Sequence, residues 1–173
     1  MSRRHISIVS LFALAISVSV WARTSESQPK DAALERTRKQ VRMLDDIYKT
    51  TVVLITDKYV HSEKDFPAGS AAVALFDAMK KKGWHEVRLL DASGKPRRRK
   101  NVASDAFEKA AVSALKSGKS YYEEVIRDGA KRKLRAATAI PVVSEKCTMC
   151  HAHFEDAAKG EAIGALSYTL TIE

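Results

Sequence analysis

The sequence predicts a single α+β domain in which helices lie outside a mostly antiparallel sheet. Helical periodicity dominates residues 31–82, where apolar side chains recur three or four positions apart. Short strand-like runs separated by glycine-containing turns follow, which is typical of β-hairpins. The length of 173 residues is enough for one domain with a sizeable core after the N-terminal segment is set aside.

The N-terminus has the pattern of a secretory signal peptide over residues 1–22. Arg3 and Arg4 precede the apolar run of residues 6–20, and Ala22 ends a small-residue cleavage site. This run is shorter than the roughly 20 apolar residues that span a membrane. We therefore expect cleavage and export, with retention as an uncleaved anchor as the alternative.

Cleavage of the signal peptide would leave a mature chain of residues 23–173. Cleavage removes two arginines and no acidic residue, so the formal charge falls by two from +9. We expect residues 23–30 to form a flexible leader and residues 31–173 to form one domain. No second long apolar run follows in the sequence, so we expect a soluble periplasmic protein without a membrane span.

Two helices are predicted first. Residues 31–61 contain no Gly or Pro, and their apolar residues keep helical spacing, as at Tyr48 and Val52. This stripe fits packing against the domain's own sheet, or pairing with a second copy in a homodimer. After the break at "DFPAGS", a shorter helix is predicted over residues 71–82, with Gly83 ending it.

The pattern then changes to that of strands. "HEVRLL" predicts a strand, which a Ser-Gly turn joins to a very basic strand or loop containing "KPRRRK". Ser104 is predicted to cap a helix over residues 105–116. The runs on either side of Asp128-Gly129 predict a hairpin, and "AIGALSYTLTIE" predicts a final strand.

The strongest chemical signal, "CTMCH", lies between the hairpin and the final strand. The only two cysteines of the chain, Cys147 and Cys150, stand three residues apart and His151 follows them. C-x-x-C-H is the attachment sequence of haem c, in which each thiol forms a thioether with a vinyl group. The adjacent histidine then coordinates the iron. The sequence therefore predicts one covalently attached haem c, bound through Cys147 and Cys150 and ligated by His151.

Three other uses of these cysteines compete with haem. A disulfide across so short a loop removes little entropy from the unfolded chain. A thioredoxin-like pair belongs at the start of a helix in a βαβ unit, which this region lacks. A zinc site would crowd Cys147, Cys150, His151 and His153 into seven residues, which is tighter than the usual paired spacing. Haem c agrees best with the motif and with export.

Four segments carry a family resemblance: "GWHEVRLLDASGKP", "DAFEKAAVSALKSGKSYYEEV", "LRAATAIPVVSEKCTMCH" and "AIGALSYTLTI". They resemble a bacterial family of exported single-haem domains, catalogued as a domain of unknown function. The resemblance covers residues 44–172. It implies a PAS-like or Cache-like sheet with a long N-terminal helix, and a haem-binding insert before the last strand. It also implies haem attachment through Cys147 and Cys150 with His151 on the iron.

These observations favour one-electron transfer by a periplasmic monohaem cytochrome. The alternative is a haem-based redox or gas sensor, which the sensor-like fold favours. No distal acid–base pair that would indicate a haem peroxidase is evident, so we do not expect an enzyme. The basic runs fit either a solvated surface or a dock for an acidic redox partner, and export argues against nucleic acid.

The second axial position of the iron has four candidates. Both thiols are consumed by the thioethers, and Met149 lies inside the attachment loop. The candidates are His85 first, His61 second and Met79 third, with Met43 as a further methionine on a helix. Histidine would give a lower reduction potential than methionine. His153 starts from the proximal side of the haem, and we expect it to be exposed.

Overall fold

The computed structural model describes residues 31–62 and 64–173. The predicted signal peptide and leader lie outside these residues. Within these residues the chain forms four helices and four strands: α1 (Ala32–Tyr59), α2 (Ala68–Lys81), β1 (Glu86–Asp91), α3 (Ala106–Lys116), β2 (Tyr121–Asp128), β3 (Lys131–Ile140), α4 (Glu145–Cys150) and β4 (Gly164–Thr171). Two single turns of 3₁₀ helix occur at Arg99–Asn101 and Ala152–Phe154.

The four strands form one antiparallel sheet in the order β1-β4-β3-β2. Strand β4 lies second in this order, so Leu166 pairs with Leu89 of β1 on one side and with Thr138 of β3 on the other. A long N-terminal helix and an insert before the last strand complete the architecture. The predicted α+β fold is confirmed, and it is consistent with a PAS-like or Cache-like domain.

Helices cover both faces of the sheet. On the face of α1 and α2, the core includes Val41, Tyr48, Phe76, Leu134 and Tyr168. On the face of α3, it includes Leu90, Phe107, Ala111, Leu115 and Ala165. Because β4 is an inner strand covered on both faces, its residues are buried almost without alternation, including the polar Ser167.

Both predicted N-terminal helices are confirmed, with small shifts at their ends. Asp31 begins α1 by accepting a hydrogen bond from the Leu34 amide at 3.0 Å. Helix α2 begins at Ala68, three residues before the predicted start, because Pro67 supplies the fixed φ that suits the entry to a helix. The Pro67 carbonyl accepts the first bond of the helix, from the Ser70 amide at 2.8 Å.

Two local predictions are wrong in detail. Asp105, not Ser104, caps α3: the Asp105 carboxylate accepts from the Glu108 amide at 2.8 Å, whereas the Ser104 hydroxyl donates to the Glu108 carboxylate. Both residue types are good caps, and the aspartate stands one position closer to the helix. The hairpin turn lies at Gly129 and Ala130, since Asp128 pairs with Lys131.

The basic segment after β1 is a loop and not a second strand. Residues 95–100 are exposed, and the segment ends in the 3₁₀ turn at Arg99–Asn101. Pro96 has no amide hydrogen for a ladder, and five neighbouring cations would repel each other along a strand. We call residues 95–100 the basic loop below.

A buried carboxylate joins this region to the sheet. The Glu108 side chain is 1 % exposed and forms an ion pair with Arg88 of β1. It also accepts from the Ser104 amide at 2.8 Å and from the Ser104 hydroxyl at 2.9 Å. Arg135 of β3 lies 4.0 Å from the same carboxylate and stacks over the Phe107 ring at 4.2 Å. The negative charge is therefore compensated from two strands.

We expect Glu108→Gln to lower the free energy of unfolding by about 1–3 kcal/mol, because a charged partner of a buried network is lost. Urea unfolding followed by circular dichroism measures this. Glu155→Gln, at an exposed carboxylate, is the matched control and should change stability by less than about 0.5 kcal/mol. Equal effects of the two substitutions would show that the Glu108 network contributes nothing specific.

Candidate haem-attachment site

The two cysteines lie on the short helix α4, in the segment that joins β3 to β4. Ser144 begins this helix, and its side chain accepts from the Lys146 amide at 3.2 Å. The helix ends at Cys150, because His151 leaves helical geometry with φ −137° and ψ 69°. Residues three apart on a helix share a face, so the spacing of Cys147 and Cys150 places their thiols on the same side of α4. Both are free thiols, which gives no support to a disulfide.

The segment of α4 starts and ends at one place in the sheet. Ile140, the last residue of β3, pairs with Gly164, the first residue of β4. The Ile163 amide donates to the Ile140 carbonyl at 3.0 Å, and the Ala92 amide donates to the Ile163 carbonyl at 3.0 Å. Residues 141–162 therefore form an insert that is closed at its base by hydrogen bonds to both neighbouring strands.

Lys146 fixes one side of α4. Its ammonium group donates to three carbonyls at the end of α1: those of Asp57 at 2.7 Å, Val60 at 2.9 Å and Thr56 at 3.2 Å. The final carbonyls of a helix lack partners within the helix and carry partial negative charge. A lysine here satisfies them, and it ties the first turn of α4 to the C-terminal end of α1.

Arg97 of the basic loop fixes the other end of α4. Its guanidinium donates to the Cys150 carbonyl at 2.8 Å. The neighbouring Arg98 donates to the Ser70 hydroxyl of α2 at 2.6 Å. The C-x-x-C-H motif, residues 147–151, is therefore held between α1 and the basic loop. Sequence reasoning missed both anchors, since Lys146 and Arg97 act across more than fifty residues and leave no local pattern.

His151 lies in a small aromatic cluster. Its ring stacks on Phe154 with centroids 4.7 Å apart, and the His153 ring stands nearly perpendicular to it at 5.7 Å. The prediction that His153 is exposed is wrong, because the 3₁₀ turn after His151 folds its ring to within 4.3 Å of Phe154. Among the described residues, His151 Nδ1 and His153 Nε2 are buried and have no hydrogen-bond partner.

The surroundings of His151 favour a neutral imidazole. Burial is the main cause that lowers its pKa, and the positive charges of Arg97 and His153 lower it further. A neutral imidazole keeps a nitrogen lone pair, which is the form that ligates metals. The buried nitrogen without a partner and the adjacent thiols fit the donor set that a c-type haem requires.

A cavity of about 370 Å³ lies beside α4. It is within the size range of small-molecule and cofactor sites. Helices α1 and α2 form its walls, together with one face of the sheet and the residues that lead into α4. Most lining residues are apolar: Val52, Val53, Ala72, Phe76, Leu89, Ile140, Pro141, Val143, Ile163 and Leu166. Of the motif, Cys147 lines the cavity, whereas Cys150 and His151 do not.

A polar network lies at the α1 wall of this cavity. The Lys49 ammonium donates to the Asp45 carboxylate at 2.9 Å, the Thr138 hydroxyl at 3.1 Å and the Ala139 carbonyl at 2.8 Å. Asp45 in turn accepts from the hydroxyls of Tyr168 at 2.9 Å and Thr138 at 2.6 Å. All three protons of Lys49 are thus used, and an ammonium group has no lone pair for a metal.

None of the four candidates for the second axial position lines the cavity. His85 lies beyond Tyr48, with its Nε2 2.7 Å from the Tyr48 hydroxyl, and burial lowers its pKa. His61 is exposed and Met79 is half-buried. Met43 faces outward from α1 and is 55 % exposed. The structure therefore places all four away from the cavity wall that Cys147 faces.

The zinc alternative finds no support in the described part of the chain. Residues 31–62 and 64–173 contain no group of three or more His, Cys, Asp or Glu side chains arranged to hold a metal ion. The same residues include no helix with the length and apolar character of a membrane span.

Comparison with family models now identifies the chain's relatives. Residues 17–168 match the model of the Tll0287-like proteins. The chain belongs to the Tll0287-like family. Comparison with the curated proteins gave no match. The Tll0287-like match includes the attachment motif, α1 and nearly all of the sheet.

We expect Lys146→Met to loosen the motif of this Tll0287-like protein without unfolding the sheet, because α4 loses its anchor on α1. Hydrogen exchange with mass spectrometry should show faster exchange in residues 145–151, while α3 and β4 keep their protection. Lys159→Met, at an exposed lysine of the same insert, is the control. Unchanged exchange in the Lys146 variant would mean that its three hydrogen bonds do not hold α4.

Proposed function

We propose that this Tll0287-like protein is an exported monohaem c-type cytochrome that transfers single electrons. The observation that carries the proposal is the C-x-x-C-H motif on α4, with Cys147 facing a mainly apolar cavity. Covalent attachment suits an insert of this size, because thioethers retain a cofactor that the chain does not fully enclose. The predicted signal peptide supports attachment in the periplasm.

The residues of the site have distinct roles in this proposal. Cys147 and Cys150 would hold the haem, and His151 would present a neutral imidazole nitrogen to its iron. The haem would supply the one-electron couple between ferrous and ferric iron. The apolar side chains of α1, α2 and the sheet exclude water, and Lys146 and Arg97 keep the motif in place. No bond of a substrate has to change, so the proposed role is not enzymatic.

The proposed partner is a redox protein with an acidic surface. After loss of the predicted signal peptide the chain would carry a formal charge of +7, two less than the +9 of the full sequence, and complementary charge increases the rate of encounter between proteins. Nucleic acid is not part of the proposal, since the protein is expected to be exported.

Covalent attachment predicts that haem stays on the denatured protein. After expression with a haem-attachment system, a denaturing gel should show a haem-stained band at the size of the mature chain. Cys147→Ala combined with Cys150→Ala should abolish this band, because no thioether can form. Met149→Ala, inside the same loop, is the control that should keep it. If acidified organic solvent extracts the haem from the native protein, covalent attachment is wrong.

A second candidate function is a haem-based redox or gas sensor. The observation that favours it is the cavity lining: among the described lining residues there is no histidine or methionine, and Lys49 is fully hydrogen-bonded. A haem without a second protein ligand binds small ligands readily, whereas a carrier with two protein ligands does not.

The two functions differ in the response to carbon monoxide. The sensor function predicts that the ferrous protein binds the gas within the mixing time, with a shift of its main absorption band. A carrier with a second protein ligand keeps its spectrum under the gas. His85→Ala tests the first-ranked ligand candidate. If the wild type ignores carbon monoxide and His85→Ala binds it, the carrier function holds and His85 reaches the iron after all.

A further inference from the structure

The chain has three runs of basic residues, and the structure distinguishes them by how their charge is neutralised. The runs are Lys80–Lys82, Lys95–Lys100 and Lys131–Arg135. In the first, Lys80 pairs with Glu86 at 2.7 Å. In the last, three cations have carboxylate partners: Arg132 with Asp31, Lys133 with Asp128, and Arg135 with Asp105.

The basic loop lacks such compensation. Its five cations are Lys95, Arg97, Arg98, Arg99 and Lys100, and all of them are exposed. Within the described ranges 31–62 and 64–173, no carboxylate lies within ion-pair distance of any of them. The nearby Asp91 is engaged with the Ser93 hydroxyl at 2.6 Å and the Gly94 amide at 2.8 Å.

The same loop is held in a defined position. Arg97 donates to the Cys150 carbonyl at 2.8 Å and Arg98 to the Ser70 hydroxyl at 2.6 Å. From the sheet, Arg88 donates to the Lys100 carbonyl at 2.8 Å. The uncompensated charge is therefore presented from a fixed loop. It also lies directly against the backbone of the attachment motif, one residue before His151.

We propose that the basic loop is the docking surface for the acidic redox partner. This inference rests on the proposed function, because it locates where the electron enters and leaves. One electron leaves the reduced protein and is taken up by the oxidised partner, with no bond formed or broken and no proton transferred. Opposite charges beside the motif would hold the partner near the residues that bind the haem and raise the association rate, an effect that salt screens.

Two variants with equal charge change test this surface. The loop variant carries Lys95→Gln, Arg99→Gln and Lys100→Gln, and it keeps Arg97 and Arg98 because they bond to the fold. The control variant carries Lys81→Gln, Lys82→Gln and Lys131→Gln, which removes three exposed cations of the other two runs. The haem content of both proteins is measured first by the pyridine haemochrome spectrum. Absence of haem in the wild type would refute the proposed function, and only a loaded protein tests the docking surface.

The kinetic readout uses ferricyanide as a small anionic oxidant and the cobalt tris(phenanthroline) cation as its counterpart. At low salt, we expect the loop variant to be oxidised by ferricyanide roughly tenfold more slowly than the control variant. The difference should vanish at high salt. The cobalt cation should react no more slowly with the loop variant than with the control. If ferricyanide oxidises both variants at equally reduced rates, the proposal is overturned, because net charge alone would then explain the rate.

The binding readout does not depend on electron transfer. Calorimetric titration of the oxidised holoprotein with decaglutamate should show weaker binding by the loop variant than by the control variant. Vesicles of anionic phospholipid test the alternative, in which the basic loop binds a membrane surface. If the loop variant binds decaglutamate like the control but loses cosedimentation with these vesicles, the basic loop contacts a membrane surface and the proposed partner is wrong.

Discussion

The pairing of β3 with β4 is the constraint on which the candidate site depends. Ile140 and Gly164 are partners in the ladder, so the insert leaves and re-enters the sheet at one point. A segment closed in this way cannot slide along the sheet, because a shift of one residue would turn the buried side chains of β4 to the wrong face. Strand β4 has helices on both faces and is buried almost throughout, so its register is strongly specified. The position of α4 follows from the position of β4.

Basic side chains make most of the hydrogen bonds and ion pairs that join distant elements of this fold. Lys146 joins α4 to the end of α1, and Arg97 joins it to the basic loop. Lys49 joins α1 to β3, while Arg88 joins β1 to α3 through Glu108. Long basic side chains suit this task, since several donors on a flexible stem reach carbonyls that apolar side chains would leave without partners. The excess of positive charge is thus partly structural, and the basic loop carries five neighbouring cations that have no carboxylate partner among the described residues.

The sequence predicted features that neighbouring residues determine, and it did not predict contacts between residues far apart in the chain. The absence of Gly and Pro over residues 31–61 predicted α1 nearly to its ends, and the turn chemistry at Gly129 predicted the hairpin to within one residue. The Ser104 cap failed because two adjacent residues could each cap α3, and spacing alone did not separate them. His153 was placed wrongly because its burial depends on Phe154 and a 3₁₀ turn. The motif predicted a site at Cys147, Cys150 and His151, yet the residues that anchor it lie far away in the chain.

The contacts of the α1 wall of the cavity bear on whether a bound haem would transfer electrons or sense a ligand. Lys49 holds this wall to β3 by two hydrogen bonds, and Lys146 holds the end of the same helix to the motif by three more. A carrier benefits from such fixed surroundings, because little has to rearrange when the charge on the iron changes. A sensor needs a part that moves, and here α4 cannot move without either breaking the Lys146 bonds or carrying the end of α1 with it. The hydrogen bonds that hold α4 therefore favour electron transfer, whereas the cavity lining favours ligand binding. A conformational change in the motif would reach α1 through Lys146 and the basic loop through Arg97.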